Sequence, residues 1–136
     1  MPKNIKNIIT AKFRRSFVEG LQHTWLFCEA PLEVKTHIAH ELGDNADVII
    51  CTYFTPNHWF AATEDVLTIK TDNGRQSVDF KSITKVDCDL KRLAAHRNQP
   101  FEVIDLYTTN GIVPLEVEKR TWGAWVEVLK LLLNKI

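Results

Sequence analysis

His37, His40 and Glu41 stand at i, i+3 and i+4, and Glu33 falls on the same side if residues 31–42 are helical. Imidazoles and carboxylates at that spacing are a donor set for zinc and related ions. The opposite side, Val34, Ile38 and Leu42, is apolar, so a solvated polar face accounts for the same residues, and no further ligand pair stands elsewhere. Thiol chemistry is equally thin. Cys28, Cys51 and Cys88 are odd in number and far apart. The lack of a C-x-x-C pair excludes a zinc ribbon or thioredoxin motif, and the odd count argues against a disulfide framework. Cys51 and Cys88 lie in apolar strand patterns and read as core residues. Asp87, Asp89 and Asp105 fall on segments that can be neighbouring strands, where a wet sheet face explains them equally well. The five glycines are scattered, so there is no phosphate loop, and no G-x-S-x-G elbow is present. Nothing here nominates a catalytic, cofactor-binding or metal-binding residue, and no cofactor is expected.

Binding residues are easier to nominate. Lys91, Arg92, His96 and Arg97 sit in a long polar stretch, a cationic loop suited to an anion or an acidic partner. His58 precedes Trp59 at a turn, where a partner contact fits better than catalysis. Lys3, Lys6, Lys12, Arg14 and Arg15 all precede the first acid, Glu19. Such a basic front end can touch phosphates or a membrane surface, and it can equally be the solvated side of a helix. The formal net charge is zero and the strand aromatics are not interleaved with basic residues, which argues against nucleic acid.

These residues need elements to position them. At 136 residues, 45% of them apolar, the chain is one structural unit with enough material for a core. No segment approaches the ~20 apolar residues that span a bilayer, and no apolar leader is visible, so a soluble, reducing, cytoplasmic setting is expected. Residues 1–20 favour a helix carrying Ile5, Ile8, Ile9, Phe13 and Phe17, although Ile9 to Phe17 also suits a strand. Trp25, Leu26 and Phe27 form a bulky patch before Pro31, which opens a second helix that Gly43 stops. Seven strands are then predicted, over 47–55, 58–63, 66–71, 76–80, 83–89, 101–109 and 112–118. Asp72-Asn73-Gly74 and Asn110-Gly111 signal hairpins. In the last strand Val113, Leu115 and Val117 alternate with Pro114, Glu116 and Glu118, one face buried and one wet. Residues 119–136 close the chain as a helix whose stripe is Trp122, Trp125, Val126, Leu129, Leu132, Leu133 and Ile136, with Trp122, Trp125, Leu129 and Leu133 expected to be buried.

Seven antiparallel strands running straight into a C-terminal amphipathic helix resemble the pleckstrin-homology-like superfold, in its bacterial PH and GRAM-like form. The residues carrying the resemblance are Val66-Leu67-Thr68-Ile69-Lys70, Ser82-Ile83-Thr84-Lys85-Val86-Asp87, the Asn110-Gly111 hairpin, and the helix with Trp122 and Trp125. It covers about residues 47–136. The resemblance implies an α+β unit: N-terminal helices, a seven-stranded antiparallel curved sheet or open barrel, and a C-terminal capping helix. Residues 1–45 then form a helical extension packed on a domain spanning 46–136. Phosphoinositide-binding members carry a basic cluster at the first hairpin, whereas here that turn is Thr55-Pro56-Asn57-His58 without Lys or Arg. A helix-grip (START-like) fold also ends in a long helix over a sheet.

The resemblance implies a non-catalytic binding or adaptor module for a protein or peptide partner. A small-ligand carrier or enzyme on a helix-grip fold is the alternative, and it requires a deep apolar cavity between helix and sheet. A membrane-surface adaptor working through the basic N-terminus is the third. Finally, Leu131 points away from the main helical stripe and Val128 lies at its edge. That face is expected either to take the N-terminal segment around Phe13, Phe17 or Trp25, or to form a homodimer contact.

Overall fold

The computed structural model describes residues 5–16, 21–43, 46–87 and 101–133. Helix α1, Ile5–Ser16, leads into a short strand β1, Thr24–Leu26, and a single 3-10 turn, Phe27–Glu29. Helix α2, Leu32–Leu42, follows Pro31 and ends at Gly43, whose φ of 91° suits a residue without a side chain and whose N–H donates to the Ala39 carbonyl. Strands β2 (Ile50–Thr55), β3 (His58–Ala62), β4 (Val66–Thr71) and β5 (Gly74–Asp79) come next. A second 3-10 turn, Phe80–Ser82, capped by the Asp79 carboxylate accepting from the Lys81 N–H, then redirects the chain. Strands β6 (Ile83–Asp87), β7 (Phe101–Thr108) and β8 (Gly111–Glu118) precede helix α3, Trp122–Leu133.

The strands form two open antiparallel sheets, one of five in the order β1-β2-β3-β4-β5 and one of three in the order β6-β7-β8. This corrects the expectation of a single seven-stranded sheet. The additional strand is β1, which pairs Thr24 with Thr52 and Leu26 with Ile50 on β2. Three residues are too few to display a two-residue period, so only the pairing defines this strand. The hairpin loops β4–β5 and β7–β8 are Asp72-Asn73 and Thr109-Asn110, with Gly74 and Gly111 opening the return strands at φ of 113° and 129°.

Strand alternation divides the five-stranded sheet into two faces. Phe60 and Ala62 of β3, Ile50 of β2, Leu67 and Ile69 of β4 and Leu26 of β1 join the main core with Ile104, Leu106, Leu115 and Val117 of the second sheet. Trp59 and Ala61 of β3 and Cys51 of β2 point the other way and pack with Val34 and Ile38 of α2. Helix α3 buries Trp125, Val128, Leu129 and Leu132 in the main core. The Phe60 and Trp125 rings meet edge to face, their centroids 4.9 Å apart.

The buried stripe of α3 is rotated from the expected one: Val128 is fully buried, while Trp122 and Leu133 are only half-buried. The cause is α1, which packs beside α3 and supplies a second wall. Ile9 is buried in the same cluster as Val128, with Ile8, Phe13 and Leu131 partly buried against it. Phe17 lies outside the described residues, and Trp25 is on the other face of the sheet. Glu118, expected on the wet side of β8, is buried. Its two carboxylate oxygens accept the backbone N–H groups of Gln22 and His23 at 2.8 and 2.9 Å, tying the entry to β1 onto the end of β8. A carboxylate is tolerated there because charge-assisted bonds from backbone donors offset its desolvation.

Candidate functional site

Two of the concavities beside the five-stranded sheet bring candidate residues together. The first is a cleft of about 360 Å³ where β3, β4 and β5 diverge from β8. Phe60 and Ile69 form its buried floor, and His58, Lys70, Gln76 and Glu116 stand on its walls. His58 Nε2 lies 3.4 Å from Glu116 Oε2, one side-chain tie across the gap between sheets. The Lys70 ammonium donates to the Thr71 carbonyl at 3.1 Å. His58 therefore faces a carboxylate from the opposite sheet, a relation that adjacency to Trp59 did not reveal. Trp59 itself is 2% exposed, and its indole N–H donates to the Pro56 carbonyl at 3.2 Å, so it offers almost no surface to a partner. Consecutive strand residues point to opposite faces, which is why His58 and Trp59 do not form one contact patch.

The second concavity is a groove of about 560 Å³ running between α2 and strands β1 and β2. Trp25, Tyr53 and Phe54 line it half-exposed, together with Val34 and His37 of α2 and the prolines Pro31 and Pro56. Trp25 lies opposite Cys51, and Tyr53 is two residues further along β2, so both rings stand on the α2 side of the sheet. The His37 ring meets Tyr53 and Trp59 edge-on, at centroid distances of 5.6 and 6.1 Å. His23 packs its ring on Phe54 at 5.1 Å and brings Nδ1 to 3.1 Å from the Tyr53 carbonyl. The His23 carbonyl accepts from the Tyr53 N–H at 2.8 Å, whereas the His23 backbone N–H is committed to Glu118. The groove runs on to the outer side of α2, where Leu32 is 76% exposed beside Thr36 and His40.

Three polar groups at this groove have no hydrogen-bond partner among the described residues: the Trp25 indole N–H, the Tyr53 hydroxyl and His37 Nε2, the last of these buried. Glu41 Oε1 is 3.8 Å from His37 Nε2, too long for a hydrogen bond. Burial, with the Glu33 carboxylate adding, pushes the Tyr53 phenol above its ordinary range, so it remains a proton donor at neutral pH.

The metal reading of α2 finds no support in this arrangement, since the described residues hold no group of three or more His, Cys, Asp or Glu placed around one point. Asp87 and Asp105 are directly opposite each other on β6 and β7, with the Lys85 ammonium 3.6 Å from Asp87. Asp89, Cys88 and the cationic residues Lys91, Arg92, His96 and Arg97 lie outside the described residues. Cys28 is exposed, whereas burial pushes the Cys51 thiol up to about 12, leaving no thiolate at neutral pH. Of the basic N-terminal residues, Lys6 pairs with Asp47 at 2.8 Å and Arg14 with Glu29 at 2.9 Å, while Lys3 is outside the described residues. Among the described residues, no helix is long and apolar enough to cross a membrane.

The groove residues were missed in the sequence because no motif joins them. The available signal was indirect: Tyr53 shares the two-residue period of Cys51, and Trp25 stands beside a proline-initiated helix. Comparison with protein-family models, curated proteins and solved structures finds no match to the chain.

Proposed function

We propose that this chain is a non-catalytic binding module that takes an extended segment of a protein partner in the groove beside α2. The observation carrying this reading is the row of half-exposed rings, Trp25, Tyr53 and Phe54, of which the Trp25 indole N–H and the Tyr53 hydroxyl have no hydrogen-bond partner among the described residues. Rings of this kind supply large contact area at small entropic cost and are enriched where partners dock. A pleckstrin-homology-like scaffold fits the reading: β2 to β5 and β6 to β8 divide four and three, α3 follows the last strand directly, and β1 and α2 are additions. The groove lies between those additions and the scaffold.

The rival readings draw less support. A carrier needs an open cavity under the C-terminal helix, but Phe60, Trp125, Val128 and Leu129 fill that space. A membrane-surface adaptor would need free N-terminal cations, and two of them are committed to ion pairs with the rest of the chain. A dimer contact through Val128 would require that side chain at the surface, whereas it is buried within the chain.

Selecting binders from a random peptide library, then mapping their amide shifts on the full chain, tests the proposal. Shifts centred on Trp25, Val34, His37 and Tyr53, lost in a Trp25→Ala/Tyr53→Ala variant that still folds, are expected. Binders that map to the cleft at His58 and Glu116 instead would refute the groove as the site.

A further inference from the structure

We infer that the groove beside α2 selects a proline-rich segment carrying a basic residue, an inference that rests on the peptide-binding reading above. Donor and acceptor balance favours proline. Trp25 and Tyr53 present an indole N–H and a hydroxyl that donate to no described protein atom. Both donors sit on apolar rings, so a matching ligand must bring acceptors. An ordinary extended chain would also bring one N–H per residue and strand many of them over apolar surface, at the cost of an unmade hydrogen bond. Proline brings a carbonyl and no N–H.

The shape of the groove suits the same ligand. Trp25 and Tyr53 are diagonal neighbours on antiparallel strands, roughly 7–8 Å apart at the backbone. Both line a groove whose wall also includes Pro31 and Val34 at the edge of α2. A polyproline II segment has no internal hydrogen bonds, exposes all its carbonyls, and is already ordered before it binds. Aromatic-lined grooves recognise such segments in general.

Charge selects the flanking residue. Among the described side chains lining the groove, Glu33 carries the one formal charge. It is exposed and has no ion-pair partner among the described residues. A Lys or Arg flanking the prolines would meet it at the rim, which gives the segment a direction.

The test titrates the full chain with three synthetic ten-residue peptides and follows amide and indole resonances. One is oligoproline ending in Arg, the second oligoproline ending in Gln, and the third a Gly-Ser repeat ending in Arg. The oligoproline-Arg peptide should bind at least about tenfold more tightly than the Gly-Ser peptide, as expected when stranded N–H groups and ordering costs are removed. Its shifts should include the Trp25 indole. Tyr53→Phe, which keeps the ring, should weaken it about three- to tenfold. Glu33→Gln should erase the preference for Arg over Gln, a preference of about two- to fivefold that also fades with salt. Equal binding of the Gly-Ser and oligoproline peptides would overturn the inference. So would absence of groove shifts with oligoproline at millimolar concentration. If library-selected peptides of other composition still dock in the groove, only the proline inference falls; if none do, the peptide-binding reading falls with it.

Discussion

Helices α2 and α3 are of nearly equal length, eleven and twelve residues, and each packs a stripe of side chains against strand residues, yet they complete very different surfaces. Helix α3 buries Trp125, Val128, Leu129 and Leu132, and α1 supports its flank. Helix α2 buries only Val34 and Ile38. Under α3 the rings of Phe60 and Trp125 are sealed against each other. Beside α2 the rings of Trp25 and Tyr53 remain half-exposed. The same strand alternation feeds both faces, so the strands do not cause the difference. Its source is the number of apolar residues on the covering helix. Four close a surface, and two hold a helix in place while leaving a margin of aromatic surface exposed.

The two helices should differ most when a core side chain beneath each is removed. Trp125→Ala should cost about 3–5 kcal/mol of global stability, read from chemical denaturation, because the deletion opens a void in sealed packing. Ile38→Ala also removes a buried side chain, but it should act locally, raising hydrogen exchange along α2 while α3 stays protected. If both variants loosen both helices equally, the two faces are one cooperative unit and the contrast fails.

Alkaline pH sharpens the contrast through Cys51, which lies under α2. Burial raises its thiol from 9.0 to about 12, so above pH 9 the folded protein keeps a proton that the unfolded chain has lost. The unfolded state then binds fewer protons, and stability falls as pH rises, by ~1.4 kcal/mol per unit across that window. Denaturation profiles of the parent protein should show this slope, and Cys51→Ala should flatten it whatever it does to stability at pH 7.

The tie between β8 and the entry to β1 should have a smaller effect. Glu118→Ala leaves the Gln22 and His23 N–H groups without their acceptor and should cost about 1.5–3 kcal/mol. Their amide exchange should accelerate first. Unchanged protection at both positions would mean that this carboxylate does not hold β1.

The smallest effect is expected at the groove. Tyr53→Phe should shift folding stability by no more than ~0.5 kcal/mol, since its hydroxyl has no hydrogen-bond partner among the described residues. A larger loss in thermal unfolding would show that the hydroxyl serves the fold, and the groove would lose its main argument.

Much of the architecture was legible because it rests on local patterns. The period of α3, the alternation in β8, and the Asp72-Asn73-Gly74 signal each mark an element by side-chain spacing or by a residue suited to positive φ. The helix over Leu32–Leu42, bounded by Pro31 and Gly43, is of the same kind. Tertiary structure alone decided the rest. Strand β1 exists only because Thr24–Leu26 pairs with β2. Val128 became core because α1 came to lie beside α3, and Glu118 could be buried because backbone donors from residues 22 and 23 reached it. His58 met Glu116, and Trp25 met Cys51, across separations of 58 and 26 residues. Local spacing encodes which side of an element is apolar. It does not encode which distant element arrives to cover that side, because that depends on the packing free energy of the whole chain.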